Sequence, residues 1–285
     1  MISANLCDMN SHLMIGGNGF IGKAIASKNA GKIFETDGGQ NFFKKDILEK
    51  SMAGTIGIFH CGGKSSIPES FKIPDEYQRI NVDGSRAIIE AADKLGIKIV
   101  FSSSVSVYGP QSRNVTEDSS LDPKSPYAEN KIEVETLLKK TKTPSVILRY
   151  SNVYGPGQAA HSSIVANFVD KAIKGEDLTI FGDGNQLCDF IHVDDVARAN
   201  ILAMNLKNAS CEIFNITSGI QTSANEIAEK ILALTKSTSK IVHLPARPSD
   251  TTYPHIDISK AAHVLGWKPA ISLEDGLRQT IDATK

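Results

Sequence analysis

The sequence predicts an α/β chain, a doubly wound parallel sheet with a smaller C-terminal lobe. Three observations carry that prediction. Short, continuously apolar runs alternate with helical patterns through the first half, as strands buried on both faces do. A glycine-rich turn follows the first of these runs directly. The last third is richer in proline and polar connections and carries one clear helix, residues 224–234.

The strands come in order as residues 13–15 (LMI), 32–36 (KIFET), 55–60 (TIGIFH), 97–102 (IKIVFS) and 145–149 (SVILR). Between the third and fourth, residues 75–95 place Tyr77, Ile80, Gly84, Ile88, Ala91 and Leu95 at steps of three or four. That spacing predicts one amphipathic helix, stopped by Gly96. A second helix, residues 126–140, opens with Ser125 as N-cap and Pro126 at its first position. Its end is set by Pro144 downstream. No internal repeat, low-complexity tract or flexible linker divides the chain, so the two lobes are expected to share a core.

Composition narrows the function classes. The 285 residues include 41% apolar and 22% charged residues, ordinary for a folded globular chain. Thirty-one Lys and Arg against thirty-two Asp and Glu leave a net charge of −1, which offers no general attraction to nucleic acid or to an anionic bilayer. No apolar run is long enough to span a membrane, and the first residues lack a secretory pattern. Cys7, Cys61, Cys188 and Cys211 are scattered without metal-ligand spacing, so a reducing, cytoplasmic setting is expected.

Gly16, Gly19 and Gly22 fall within GGNGFIG (16–22), immediately after the first strand. Glycines at this spacing permit a tight turn, close approach of the backbone to a pyrophosphate, and close packing of the next helix. The anion then sits on free amides at the helix N-terminus, which is the Rossmann-type arrangement. Asp37, twenty-one residues after Gly16, ends the second strand and can accept from both ribose hydroxyls. Its charge repels a 2′-phosphate, which favours NAD over NADP. Glu35 is the alternative acid.

Tyr127 and Lys131 lie four apart on the 126–140 helix, one turn apart on one face, with Val134 and Leu138 continuing an inward stripe. Ser104 ends the strand before it, and parallel strands present their carboxyl ends to the ligand crevice. A hydroxyl, a phenol and an ammonium there make a proton-transfer and hydride site. A free tyrosine titrates near pH ~10. Bringing it to neutral pH takes about 4 kcal/mol, within reach of two nearby cations, Lys131 and a nicotinamide ring.

With these residues assembled, the chain resembles the extended short-chain dehydrogenase/reductase family, specifically its nucleotide-sugar epimerases and dehydratases. The motifs run in order: GGNGFIG (16–22), Asp46-Ile47, His60 to Gly63 (HCGG), Asn81 to Gly84 (NVDG), FSSSVSVYG (101–109), SPYAENK (125–131), RYSNVYGPGQ (149–158), FGDGNQLCDFIHVDDVA (181–197) and Arg247 to Asp250. The resemblance implies a base at Tyr127, a ribose and pKa partner at Lys131, and a hydroxyl orienter at Ser104. It implies cofactor contacts from Gly16, Gly19, Phe20, Ile21, Gly22, Asp37, Asp46, Ile47, Cys61, Gly62, Gly63, Asn81 and Ser102. Ser66, Ser104, Asn152, Phe181 and Arg247 are implied on the substrate side. It also implies a dinucleotide-binding domain of residues 10–155 and 186–218 and a sugar-nucleotide lobe of 156–185 and 219–285. A homodimer through the 75–95 and 126–140 helices is the associated expectation.

Family members that dehydrate sugars carry an Asp-Glu pair just after the strand-end hydroxyl. Here those positions are Val105 and Ser106, so the expectation is NAD-dependent C4 epimerisation of a nucleotide sugar through a keto intermediate. The alternatives are a 4-ketosugar reductase, which would consume NAD(P)H, and a non-catalytic NAD(P)-sensing regulator, which would not need the Ser104, Tyr127, Lys131 trio. One position departs from the family pattern: Cys188 stands where an arginine commonly precedes Asp-Phe and holds the diphosphate. His192, Asp194 and Asp195 read as a strand end and helix N-cap, and no metal is expected. Lys64 is a candidate phosphate contact or a solvated side chain, and Trp267 a packing anchor.

Overall fold

The computed structural model describes residues 11–28, 33–35, 45–111, 114–246 and 254–285; side chains are described from His12, and not for 33–35 or 45–47. Asp37 and Arg247 lie outside the described residues, and Asp46 and Ile47 are described only as part of a helix.

The described residues run through β1 (Ser11–Ile15), α1 (Phe20–Lys28), β2 (Ile33–Glu35), α2 (Lys45–Met52) and β3 (Thr55–His60). Two short helices, α3 (Ile67–Ser70) and α4 (Pro74–Tyr77), lead through a π-helical segment, Gln78–Asp83, into α5 (Gly84–Leu95). Then come β4 (Lys98–Ser104), a 3-10 turn (Val105–Tyr108), α6 (Pro126–Lys140) and β5 (Ser145–Tyr150). The remainder is β6 (Asn152–Tyr154), α7 (Ile164–Lys174), β7 (Leu178–Phe181), β8 (Leu187–His192), α8 (Val193–Asn205), β9 (Glu212–Ile216), β10 (Gln221–Ser223), α9 (Ala224–Thr235), β11 (Ile241–Leu244), α10 (Ser259–Val264) and α11 (Leu273–Asp282).

Among the described residues, six strands form one parallel sheet in the order β2-β1-β3-β4-β5-β9. The order reverses between β1 and β3, so their carboxyl ends diverge into a crevice, the place where such sheets take ligands. Separate apolar clusters cover the sheet. One, with Met14, Phe59, Val100, Leu148 and Phe214, packs α1 and α8 beneath it. The other, with Leu13, Ile58, Ile99, Phe101 and Ile147, packs α2, α5 and α6. A third cluster joins Val165, Phe168, Ile180, Phe190, Ile227, Ile231 and Leu277 from β6 to β8, α7, α9 and α11.

Local signals set most boundaries. Ser125 caps α6 by accepting from Ala128 N, and Gly96 closes α5 in the left-handed region at φ 65°. Lys98, at the start of β4, donates to the carbonyls of Ala203, Met204 and Leu206, a cation on the carboxyl end of α8. Trp267 is fully buried against the sheet cluster and donates to Asp195 O at 2.9 Å, the anchoring role its sequence context suggested.

Two expectations need correction. The single helix over 75–95 is three pieces, and Leu95 is 50% exposed rather than inward. The π segment inserts an extra residue per turn, which rotates the later face. The buried face is therefore Val82, Ser85, Ile89 and Ala92 as well as Ile88 and Ala91. The C-terminal third also holds more helix than its polar, proline-rich sequence suggested, since α10 and α11 are too short to show a sustained apolar period.

Candidate active site

The turn after β1 requires glycine on steric grounds. Gly16 has φ 83°, and a Cβ there would lie 2.7 Å from Gly62 Cα. A side chain on Gly22 would run into Gly16 O. Gly19 N donates to Gly16 O at 3.0 Å, closing the turn just before α1 begins at Phe20. Cys61 N donates to Ile15 O at 2.9 Å and holds the β3 loop against it. The glycines at 16 and 62 thus meet backbone to backbone at the crevice, a cradle that side chains would fill. This is the geometry a dinucleotide needs, with the helix N-terminus supplying amides to the pyrophosphate. Phe20 and Ile21 are the first two residues of that helix.

Gly63, at φ 139°, faces Asn81, whose Oδ1 would meet a Cβ at 2.7 Å. Asn81 accepts from Lys64 N at 2.8 Å and donates to Lys64 O at 3.0 Å. Its amide is therefore spent on the 61–64 loop, which it shapes from the π-helical segment. His60, buried at the end of β3, hydrogen-bonds Ser85 Oγ through Nε2 at 2.8 Å. Burial, with the Lys131 charge adding, pushes its pKa down to about 3, so it is neutral. Lys64 pairs with Glu69 and Glu76, each at 3.4 Å. Ser66 caps α3 by accepting from Glu69 N at 3.3 Å, and its carbonyl takes the Tyr77 hydroxyl.

Lys131 stands beside the Tyr127 ring and against β4, the strand that ends at Ser104. Ser104 is the last residue of β4, where its Oγ accepts from Ser106 N at 3.2 Å and leaves its own proton to donate. Tyr127 is the second residue of α6, and α6 packs on β4 and the 3-10 turn. Lys131 Nζ lies 5.6 Å above the Tyr127 ring, 4.8 Å above the Phe101 ring, and donates to Ser102 O at 2.6 Å. Burial pulls the ammonium down to about 8, against the opposing pull of the Cys61 and Glu135 sites.

Sequence reasoning missed two polar networks around this trio. Asn200 Nδ2 donates to Tyr150 OH at 2.8 Å, Tyr150 OH lies 3.2 Å from Ser102 Oγ, and Ser102 Oγ donates to Cys61 Sγ at 3.1 Å. With Asn200 donating, every remaining proton in the chain points toward Cys61. Burial pushes that thiol up to about 11, so it is no nucleophile. The other network is a buried ion pair, Glu135 with Arg149 at 2.6 Å. The signal available for it was the spacing Tyr127, Lys131, Glu135, one helical turn per step.

On the substrate side, Asn152 is exposed on β6 and donates to Asp189 O at 3.0 Å. Asp189 is buried and accepts from Ser151 Oγ, Ser218 N, Ser218 Oγ and Ile220 N, which joins β8 to the loop before β10. Phe181 ends β7, and Cys188, half-buried on β8, sits opposite Thr222 of β10. His192 caps α8 by accepting from Asp194 N, Asp194 pairs with Lys28, and Asp195 accepts from the main chain at Ala270 and Ile271. Those three residues serve structure, and no metal-binding cluster occurs among the described residues.

A doubly wound sheet with a glycine turn at the strand switch, and a Tyr-Lys pair packed on the strand that ends in Ser104, defines an extended short-chain dehydrogenase/reductase. The model of the NAD dependent epimerase/dehydratase family matches residues 12–217, and the chain belongs to that family. It is 34% identical to a putative UDP-glucose 4-epimerase of Methanocaldococcus jannaschii, over 96% of this chain and 98% of that protein. Its fold is similar to UDP-glucose 4-epimerase of Thermotoga maritima solved with UDP-glucose, with TM-score 0.89, 30% identity, 96% of this chain and 98% of that one. It is also similar to UDP-glucuronic acid 4-epimerase of Bacillus cereus solved with UDP-glucuronic acid and NAD, with TM-score 0.89, 27% identity and the same shares.

Proposed function

We propose that this chain interconverts the C4 epimers of a UDP-activated hexose or hexuronic acid through a 4-keto sugar. The observation that carries this reading is the placement of Lys131 over the Tyr127 ring, beside the end of the strand that presents Ser104. Ser104 donates a hydrogen bond to the 4-oxygen and orients it. Tyr127 takes the 4-hydroxyl proton and later returns it. Lys131 stays cationic and stabilises the phenolate, which lowers the cost of that transfer.

The residues fit NAD: the Gly16–Gly62 cradle and the start of α1 would hold its pyrophosphate, Asp37 its adenosine ribose, Asp46 and Ile47 its adenine, and Cys61 to Gly63 with Lys131 its nicotinamide half. When bound, it supplies reversible hydride acceptance at the sugar carbon. Asn152, Phe181 and Arg247 would hold the nucleotide diphosphate, with Ser66 beside the sugar. Val105 and Ser106 supply no Asp-Glu pair to remove water from the ring, which supports epimerisation over dehydration.

The lobe division 10–155 with 186–218, and 156–185 with 219–285, agrees with the separate third cluster, while α10 and Trp267 tie the last segment back to the main sheet cluster. Among the described residues no helix is long and apolar enough to cross a membrane. We assign the chain to the cytoplasm and to a homodimer through α5 and α6, testable by fractionation and by light scattering.

The deciding experiment incubates purified protein with UDP-glucose or UDP-glucuronic acid, without added cofactor, and separates products by chromatography. The 4-epimer should accumulate to equilibrium with no net absorbance change from reduced cofactor. Failure to epimerise either sugar, with stoichiometric oxidation of NADPH or NADH when a UDP-4-keto sugar is supplied instead, would make the chain a ketoreductase. Tyr127→Phe should lose nearly all turnover, and unchanged turnover would overturn the site.

A further inference from the structure

Glu135 is 1% exposed, as is its partner Arg149. Arg149 Nε donates to Oε1 at 2.9 Å and NH2 to Oε2 at 2.6 Å, a two-pronged pair with one preferred orientation. Ser103 Oγ donates to Oε1 at 2.7 Å. Ser103 and Arg149 are direct cross-strand neighbours on β4 and β5, so the carboxylate is gripped by two adjacent strands at once. Arg149 NH1 also donates to Tyr108 OH at 2.7 Å, and Tyr108 OH donates to Asn215 Oδ1 at 2.7 Å on β9. The grip reaches across three strands and the 3-10 turn.

A buried ion pair is a poor source of stability, because desolvating two charges offsets their attraction and an apolar pair of the same size often does as well. What the pair does uniquely is fix a register. Glu135 is four residues from Lys131 and eight from Tyr127, about 6 Å and about 12 Å along one helix stripe. Ser103 immediately precedes Ser104. Holding Glu135 therefore fixes the rotation and axial position of the stripe that carries Tyr127 and Lys131, relative to the strand that carries Ser104.

Resting on the site reading above, we propose that Glu135, clamped by Arg149 and Ser103, is a positioning residue for epimerisation, setting where Tyr127 and Lys131 stand relative to Ser104 and holding the charge on Lys131. The ionisable groups around Lys131 among the described residues are His60 and Cys61 at the end of β3, Tyr127 and Glu135 on its own helix, with Tyr150 of β5 bonded to Ser102 of β4. His60 is neutral and Cys61 protonated, which leaves Glu135 as the anion that favours the ammonium. Removing that charge exposes Lys131 to an unpaired Arg149, in the same direction.

The test compares Glu135→Gln, Glu135→Asp and the apolar pair Glu135→Leu with Arg149→Met, using UDP-glucose as probe and melting to confirm folding. In Glu135→Gln, kcat should fall about 10- to 100-fold while KM and NAD affinity stay within about threefold, as displaced reacting groups predict. Its alkaline limb of kcat should move down by about one pH unit. Glu135→Asp should restore the limb but not kcat. If Glu135→Gln does not fold, the double variant decides, with low kcat expected in a folded protein. A folded Glu135→Gln with kcat within about twofold of the parent or with an unmoved alkaline limb, or a folded double variant with kcat within about twofold, overturns the proposal. Tyr127→Phe in the same assay separates the failures: if it retains turnover, the site reading has failed instead.

Discussion

Lys131 Nζ donates to the main-chain oxygen of Ser102 at 2.6 Å, two residues upstream of Ser104 on β4. The lysine is thus tied to the strand that carries the serine as well as to the helix that carries the tyrosine. On the function proposed above, that one ammonium links the helix and the strand and favours the phenolate. Its state should therefore dominate the pH behaviour.

Because burial pulls Lys131 down to about 8, its cation is present below that pH and lost above it. The kcat profile should decline on the alkaline side near pH 8, since a neutral amine no longer supports the phenolate. Lys131→Arg, which cannot deprotonate, should shift the limb upward although it lowers the maximum. A parent profile flat to about pH 10 would contradict this role. The stability sign is opposite: between about 8 and the ordinary lysine value the unfolded chain holds more protons, so this burial penalty eases as pH rises.

Gly16→Ala should cost both binding and stability. Its φ of 83° is unfavourable to any side chain, and the added Cβ would press on the Gly62 backbone, which has no flexible end to move. Strain of about 1–2 kcal/mol is expected, with NAD affinity down more than about tenfold as the two loops part. Calorimetric titration with NAD and a melting curve measure these; wild-type affinity would remove the cradle from the cofactor site.

Acid should destabilise the fold before carboxylates titrate. Burial holds His60 at about 3 and also pulls His12 and His192 below the ordinary value. The unfolded chain binds protons that the folded chain refuses below about pH 6.5, so this stability is full above that value and falls with acid. His60 alone contributes about 1.4 kcal/mol per pH unit in that window. Denaturant titrations at about pH 7 and about pH 5.5 should show the loss, with a shallower slope in His60→Gln. Equal slopes would place the proton uptake elsewhere.

Cys188→Arg should raise affinity for UDP-glucose by about tenfold by restoring a two-pronged anion donor on β8. It should also lower the melting temperature, because Cys188 packs against the lobe's apolar cluster with Phe190. Calorimetry decides; weaker binding with an intact fold would place the diphosphate away from β8.

Local patterns were legible where one short-range rule governs. The 126–140 helix matches its predicted bounds, because Ser125 and Pro126 start it and the strand beginning at Ser145 needs the chain back. The third strand, 55–60, matches too, as a continuous apolar run between turns. The helix after Tyr77 was misread because a π turn leaves no mark in apolar spacing except a phase change, and Leu95 falls on the wrong side of it. The glycines of the cradle were visible, but the reason for Gly16 was not, since the atom it must clear belongs to Gly62 in the loop after β3.

Sequence by itself determined the alternation of strands and helices in the first half and the family, and singled out Ser104, Tyr127 and Lys131 as candidates, because caps, glycine spacing and apolar runs act within a few residues. Tertiary structure alone decided which groups surround them. The Glu135 grip by Ser103 and Arg149, and the Asn200–Tyr150–Ser102–Cys61 chain, join residues 14 to 50 positions apart. Such bonds form because sheet pairing brings distant strands to 5 Å spacing and burial obliges their polar groups to find one another.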